Sequence, residues 1–212
     1  DFTQVINANA ATLSANRLAM WDGGSWSLLG DNATTTGNGV NGSVRALALD
    51  GSGNLYAGGS FTTAYNASGS SVSANRVARW DGTGWAALGA DAGSSGNGVN
   101  SSVNALAVDG GMVYVGGEFT AVYTSSASPL DANRIAAWDS DGSTWTALGA
   151  DGGLTGNGLN SGVNGLAVAS NGDLYVGGSF TTAYDNAGSS VSASRLARWD
   201  GSSWGGSLIT SG

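Results

Sequence analysis

Apolar and polar residues alternate along short stretches of this chain, and Gly-rich turns bound each stretch. In SVNALAVD (102–109), Val103, Ala105 and Ala107 fall on one side, and Leu106 and Val108 on the other. A period of two is the mark of a β-strand. Apolar residues on both sides imply a strand covered on both faces. MVYVGGEFT (112–120) reads the same way, and NRIAAWD (133–139) and TWTALG (144–149) supply two more strands. Turns rich in Asp, Asn and Gly separate them, such as DGSGN (50–54) and DGTG (81–84), and these residues supply the positive φ that tight hairpins need. Longer Ser/Asn/Gly stretches such as AYNASGSSVSA (64–74) read as surface loops.

The four-strand pattern repeats. Arg17, Arg76, Arg134 and Arg195 are spaced 59, 58 and 61 residues apart. Trp21, Trp80, Trp138 and Trp199 follow them, and Trp26, Trp85, Trp145 and Trp204 come next. The Gly pairs 58–59, 116–117 and 177–178 recur at the same period, as does GNGVN at 37–41 and 96–100, which returns as GNGLN at 156–160. The opening DFTQVINAN matches SFTTAYNAS (60–68), EFTAVYTSS (118–126) and SFTTAYDNA (179–187), but lacks their lead-in, LYAGG, VYVGG or LYVGG. Residue 1 therefore falls in the middle of a repeat.

Four antiparallel strands repeated at about 60 residues describe a blade of a β-propeller. VYVGGEFT, NRIAAWD and STWTALG together resemble the kelch repeat, in the long form found in bacterial extracellular proteins. The resemblance covers nearly the whole chain. It implies an all-β propeller array: a partial blade at 1–30 made of third and fourth strands, then whole blades at 43–89, 102–149 and 162–208. It is almost silent on activity, because kelch propellers are mostly interaction platforms and only a few are enzymes. No unmatched first and second strands follow the last blade to complete the partial one. Three arrangements stay open: a piece of a longer array, a neighbouring subunit covering the ends, or a small four-blade ring with one thin blade.

Composition narrows the partners. The chain has no Cys, His or Lys; its seven cations are Arg and its formal charge is −8. Nucleic acid is not expected as a partner, since phosphate binding needs a basic face. No apolar run approaches ~18 residues, so no membrane insertion is expected. No leader pattern opens the chain, which fits a removed signal peptide or an excised segment. A Cys-free, Lys-free, Ser/Thr/Gly-rich chain suits an extracellular or cell-surface location.

Candidate chemistry is sparse. The repeated Arg17, Arg76, Arg134 and Arg195 read as internal ties to turn carbonyls, or to Asp22, Asp81, Asp139 and Asp200; the competing reading is a ligand ring with one cation per blade. Trp21, Trp80, Trp138 and Trp199 read as packing, against a sugar-stacking reading. DSDGST (139–144) and DGSGN (50–54) look faintly like calcium loops, but the terminal Glu of the full pattern is missing, so no metal or cofactor is expected. GNGVN has the glycine spacing of a phosphate loop, but neither Lys nor a helix follows it. Asn32, Asn41, Asn66 and Asn100 head glycosylation sequons. Without His, Cys or Lys there is no nucleophilic triad or zinc centre, so no enzyme is expected. Arg45, Met20, Glu118 and SPLD (128–131) break the repeat and read as drift or as a unique contact patch. The expected role is structural or adhesive, with head-to-tail association between copies or with further repeats; the alternative is a multivalent lectin taking glycans.

Overall fold

The computed structural model describes residues 1–30, 38–89, 96–124, 128–149, 157–185 and 189–206. The fold is all-β and is built from four-stranded antiparallel sheets. The opening residues form β1 (Gln4–Ile6), β2 (Thr12–Ser14), β3 (Ala19–Trp21) and β4 (Trp26–Leu28). The next repeat gives β5 (Val44–Leu49), β6 (Leu55–Gly59), β7 (Thr63–Tyr65), β8 (Ser71–Ser73), β9 (Val77–Trp80) and β10 (Trp85–Ala87). The third gives β11 (Val103–Asp109), β12 (Met112–Gly117), β13 (Ala121–Val122), β14 (Leu130–Asp131), β15 (Ile135–Asp139) and β16 (Thr144–Ala147). The last gives β17 (Gly158–Leu159), β18 (Val163–Val168), β19 (Leu174–Gly178), β20 (Thr182–Tyr184), β21 (Ser190–Ser192), β22 (Leu196–Trp199) and β23 (Trp204–Gly205). Among the described residues no helix is long and apolar enough to cross a membrane.

Three whole sheets have the same strand order: β5-β6-β9-β10, β11-β12-β15-β16 and β18-β19-β22-β23. We call them the first, second and third sheets. β3 and β4 form a separate two-stranded sheet, a half-sheet. Asp carboxylates fasten the turns between third and fourth strands. Asp81 Oδ1 accepts hydrogen bonds from the backbone N–H of Thr83 (2.9 Å) and Gly84 (2.9 Å). Asp200 does the same with Ser202 (3.0 Å) and Ser203 (2.8 Å), and Asp22 with Gly24 (2.8 Å) and Ser25 (2.7 Å). Each carboxylate satisfies turn amides that the strand ladder leaves over.

Two sequence expectations change here. Val103 does not share a side with Ala105 and Ala107: the register against β12 shifts between Val103 and Ala105, a β-bulge at Asn104. The extra residue reverses the alternation. Val103 therefore packs in one cluster with Leu106 and Val108, while Ala105 and Ala107 join the opposite cluster. The same shift recurs at Arg45 and Asn164. The stretch at 64–74 is also not a plain loop. It holds most of the hairpin β7–β8, paired Thr63–Ser73, Ala64–Val72 and Tyr65–Ser71, and β1–β2 and β20–β21 repeat that hairpin.

The core lies between sheets. One cluster joins Tyr56, Ala46 and Ala48 of the first sheet to Val103, Leu106, Val108, Val113 and Trp138 of the second. A second cluster joins Ala105, Ala107 and Tyr114 to Val163, Leu166 and Leu174 of the third sheet. A third packs Leu18 and Leu29 of the opening repeat, with Val40, on Ala57, Phe61, Ala78 and Trp85. Glycine permits the close approach in the first two. A Cβ on Gly58 would overlap Val103 Cγ1, and one on Gly116 would overlap Val163 Cγ1.

Candidate functional site

The repeated Arg sits where the hairpin before the third strand meets the start of that strand, and the repeated Trp lies at the strand's far end. Arg17, Arg76, Arg134 and Arg195 all have left-handed backbone, with φ of 64°, 67°, 69° and 66°. That conformation costs an L-residue about 1–2 kcal/mol. Local hydrogen bonds offset it. The N–H groups of Arg76 and Arg134 donate to Phe61 and Phe119 carbonyls (2.8 Å each), and their carbonyls accept from Gly59 and Gly117 (2.9 Å each). The guanidinium of Arg17 reaches the Val40 carbonyl (3.0 Å), and that of Arg76 the Val99 carbonyl (3.1 Å). Arg134 instead donates to Glu118 (2.9 Å) and Phe119 (3.2 Å) carbonyls. Arg195 is exposed. Asp22, Asp81, Asp139 and Asp200 hold their own turns rather than these Arg residues.

Beside each of the first three Arg lies a clasp that the sequence reading missed. Asn38, Asn97 and Asn157 are buried. Their side-chain oxygens accept from the N–H of Asn16 (2.9 Å), Asn75 (2.9 Å) and Asn133 (3.0 Å). Their amides donate to the carbonyls of Ser14, Ser73 and Asp131, each at 2.7 Å. Asn16, Asn75 and Asn133 answer by donating to the carbonyls of Asn38, Asn97 and Asn157. The first Asn of GNGVN and GNGLN is therefore a clasp on the segment that leads into the third strand. Its signal in the sequence was a second Asn following the first by 22, 22 and 24 residues. In the last repeat Ser194 stands where the other repeats have Asn.

The Trp residues pair across the third and fourth strands. Ring centroids lie 5.3, 5.5, 5.2 and 5.1 Å apart for Trp21–Trp26, Trp80–Trp85, Trp138–Trp145 and Trp199–Trp204, all tilted by 52–59°. Trp138 and Trp199 are buried, whereas Trp21 is 48% exposed. A cavity of about 420 Å³ lies against Trp138 and Trp145 and is lined by Ala87, Gly89, Thr124, Ser143 and Thr144. The two calcium-like loops share another cavity of about 440 Å³, lined by Asp50, Asp141, Arg79 and Ser140 among others. Asp50 is already occupied there. Its Oδ1 accepts from Ser52 and Asn54 N–H (2.9 Å each), and its Oδ2 from Asn54 Nδ2 (2.7 Å). Burial raises its pKa, but these hydrogen bonds outweigh that and hold it below the usual carboxylate value. Among the described residues no group of three or more acidic side chains is placed to hold a metal.

Three sequon asparagines have structural partners. Asn41 Oδ1 accepts from Thr62 (2.8 Å) and Thr63 (2.9 Å) N–H, and its amide donates to Thr62 Oγ1 (3.0 Å). Asn100 repeats this with Thr120 and Ala121. Asn66 bridges both backbone groups of Trp85. Asn32 lies outside the described residues. Of the residues that break the repeat, Arg45 donates to Asn104 Oδ1 (2.8 Å) and so ties the first sheet to the second; Asn104 in turn donates to the Val163 carbonyl (3.2 Å). Glu118 crowds Gly162, Met20 is exposed, and Leu130–Asp131 of SPLD form β14.

No protein-family model and no curated protein sequence matches this chain. The chemistry of these places is therefore read from their geometry alone. Guanidinium groups tie the start of the third strand to nearby carbonyls, reciprocal amides clasp the segment before it, and paired indoles join the third strand to the fourth within one sheet.

Proposed function

We propose that the chain is a non-enzymatic, kelch-like propeller segment, extracellular or on a cell surface, that works as a structural or adhesive unit. Its three sheets are blades and the half-sheet is the outer part of another. The segment joins head-to-tail with copies of itself or with further repeats of the same kind. One observation carries this. The contact between consecutive sheets is made twice within the chain, with Gly58 under Val103 and Leu106, and Gly116 under Val163 and Leu166. Each of its two sides is left unmatched at one end. Gly177 has nothing over it but a distant carbonyl. At the other end Leu47 and Leu49 are 53% and 65% exposed, although Leu106, the counterpart of Leu47, is 9% exposed. The two ends differ, so contact between copies is heterologous and either closes into a ring or grows as a filament.

Sedimentation velocity and electron microscopy of the purified chain test this. Association that rises with concentration and disappears in Gly177→Asp is expected; a monomer at every concentration sinks the reading. The cavity beside Trp138 and Trp145 favours a second reading, carbohydrate binding. A glycan array that returns ligands competing at Trp145 would put that reading first.

A further inference from the structure

We propose that the seam between the first and second sheets is a binding groove for a neutral oligosaccharide, with Arg79 and Asp141 fixing its hydroxyls beside a wall made by Trp138. This rests on the carbohydrate reading of the cavity at Trp138 and Trp145, and it adds the residues that select the sugar.

Both charges are departures from the repeat. Arg79 lies opposite Tyr56 in the register of β6 and β9, and opposed residues share a face. Tyr56 packs toward the second sheet, so Arg79 faces the seam. Its counterpart in the third sheet, Arg198, lies opposite Tyr175 and donates to Asp173 (3.2 Å). The first sheet has Asn54 where the third has Asp173, two residues before the Tyr. Asn54 turns away to Asp50, donating from Nδ2 (2.7 Å). Arg79 is left without a hydrogen bond or ion pair to any described residue. Asp141 comes from an insertion. Six residues separate Trp138 from Trp145, against four in the other three Trp pairs. The longer turn is pinned within its own sheet, where the N–H and Oγ of Ser140 both donate to the Gly111 carbonyl (2.9 and 2.8 Å). Asp141 Oδ2 is thereby held over Gly111, where a Cβ would come within 3.1 Å of it. Its carboxylate also has no hydrogen-bond or ion-pair partner among the described residues.

Arg79 and Asp141 line one cavity of about 440 Å³, within the range of about 300–1,000 Å³ usual for small-molecule sites. A smaller cavity of about 210 Å³ shares Arg79 and Ser140 with it, and shares Ala87, Trp138 and Ser143 with the cavity at Trp145. The three therefore form one groove along the seam, polar at the Asp141 end and walled by indole at the Trp145 end. That combination suits a sugar chain. Arg79 only donates and Asp141 only accepts, whereas a sugar hydroxyl does both. The planar guanidinium takes two neighbouring oxygens at once. Charge selects further. Asp50 and Asp141 outnumber Arg79 in the polar lining, so a uronate or sulfated ring meets like charge there, and a neutral ring does not. The seam between the second and third sheets lacks both features: Ala137 stands in place of Arg79, and the turn from Asp200 to Ser203 has no insertion. The groove therefore belongs to the first seam and is not a property of every repeat.

Calorimetric titration of the chain with cello-, manno-, chito- and malto-tetraose, and with oligogalacturonate as the acidic arm, tests this. Saturable binding of at least one neutral chain is expected, with hydrogen-exchange protection at both turns, 50–54 and 139–144, and no binding of the acidic one. Arg79→Gln and Asp141→Asn should each weaken binding about tenfold or more. Arg79 is half-buried, Asp141 is exposed and neither holds another described residue, so these variants keep the fold. Arg198→Gln, at the equivalent place in the third sheet, should leave binding unchanged. Deleting Ser140 and Asp141 gives the turn the length of its counterpart from Asp81 to Gly84, so that chain should also fold and should lose the ligand. A neutral saccharide that binds equally well to Arg79→Gln and Asp141→Asn overturns the proposal and leaves the carbohydrate reading of the Trp145 cavity standing. Preference for the acidic chain overturns it in the same way. No binding by any of the five overturns both.

Discussion

The second sheet and the half-sheet are written in nearly the same residues and end in different surroundings. Trp138 pairs with Trp145 as Trp21 pairs with Trp26, at almost the same distance and tilt. Yet Trp138 is 7% exposed and Trp21 is 48% exposed. The hairpin and its indole pair are local products, set by an Asp-led turn and cross-strand register. Burial is not local. Among the described residues the second sheet packs against neighbours on both faces, and the half-sheet packs against the first sheet alone. Equal sequence thus yields unequal stability along a repeat array, because each unit draws most of its stability from the interface with the next.

That contrast can be broken most forcefully at its leucines. Leu106→Asp should destabilise by about 4 kcal/mol or more, since it buries a carboxylate without a partner. Leu47→Asp should change stability by less than about 0.5 kcal/mol, as surface substitutions do. Urea unfolding of the two variants checks both, and equal losses would mean that Leu47 is covered in solution.

A smaller effect is expected at the glycines. Gly116→Val should cost about 3 kcal/mol by forcing the second and third sheets apart, whereas the same change at Gly177 meets open space. Parallel melting curves separate the two. Asn97→Ala should cost about 2 kcal/mol by removing the partner of the Asn75 N–H and leaving the Ser73 carbonyl without its donor. Hydrogen exchange at Asn75 should show the loss at the junction of the first and second sheets before the third sheet responds.

The smallest effect is a pH dependence carried by the turns. Asp81 is held down to about 2 by the Thr83 hydroxyl and by the Thr83 and Gly84 amides. Asp200 is lowered by the Ser203 and Ser202 amides, and Asp22 by those of Ser25 and Gly24. A folded-state pKa below the unfolded value of 3.8 contributes stability that is complete above about pH 4. It is lost as pH falls toward 2, because the unfolded chain takes up protons first. Asp81→Asn should flatten the melting-temperature profile slightly between pH 4 and 2, with its small loss of stability seen near neutrality and vanishing toward pH 2.

Much of the fold was legible because the repeats restate one pattern. Alternation placed the four strands of each unit, Asp-Gly placed their turns, and the recurring Arg and Trp set the period. The bulge at Asn104 was not legible. An extra residue leaves no mark in a run that is apolar on both sides, and it shows only when Val103 is found beside Leu106. The hairpins such as β7–β8 were hidden because Thr, Ser and Asn make weak strands that pair only when anchored, here by Asn41 and by the bridge from Val40 to Ala64. The Asn clasp was visible as spacing but not as chemistry. Two amides that face each other across 22 residues form a bond only if the chain between them folds back.

By itself the sequence determined what is local and periodic in this protein: strand positions, turns and the paired indoles. Those follow from steric limits on single residues and from contacts within a hairpin. Tertiary structure decided which of the equivalent residues are covered. Whether a leucine is sealed depends on the strand stacked over it, and Leu47 and Leu106 occupy the same place in their own sheets.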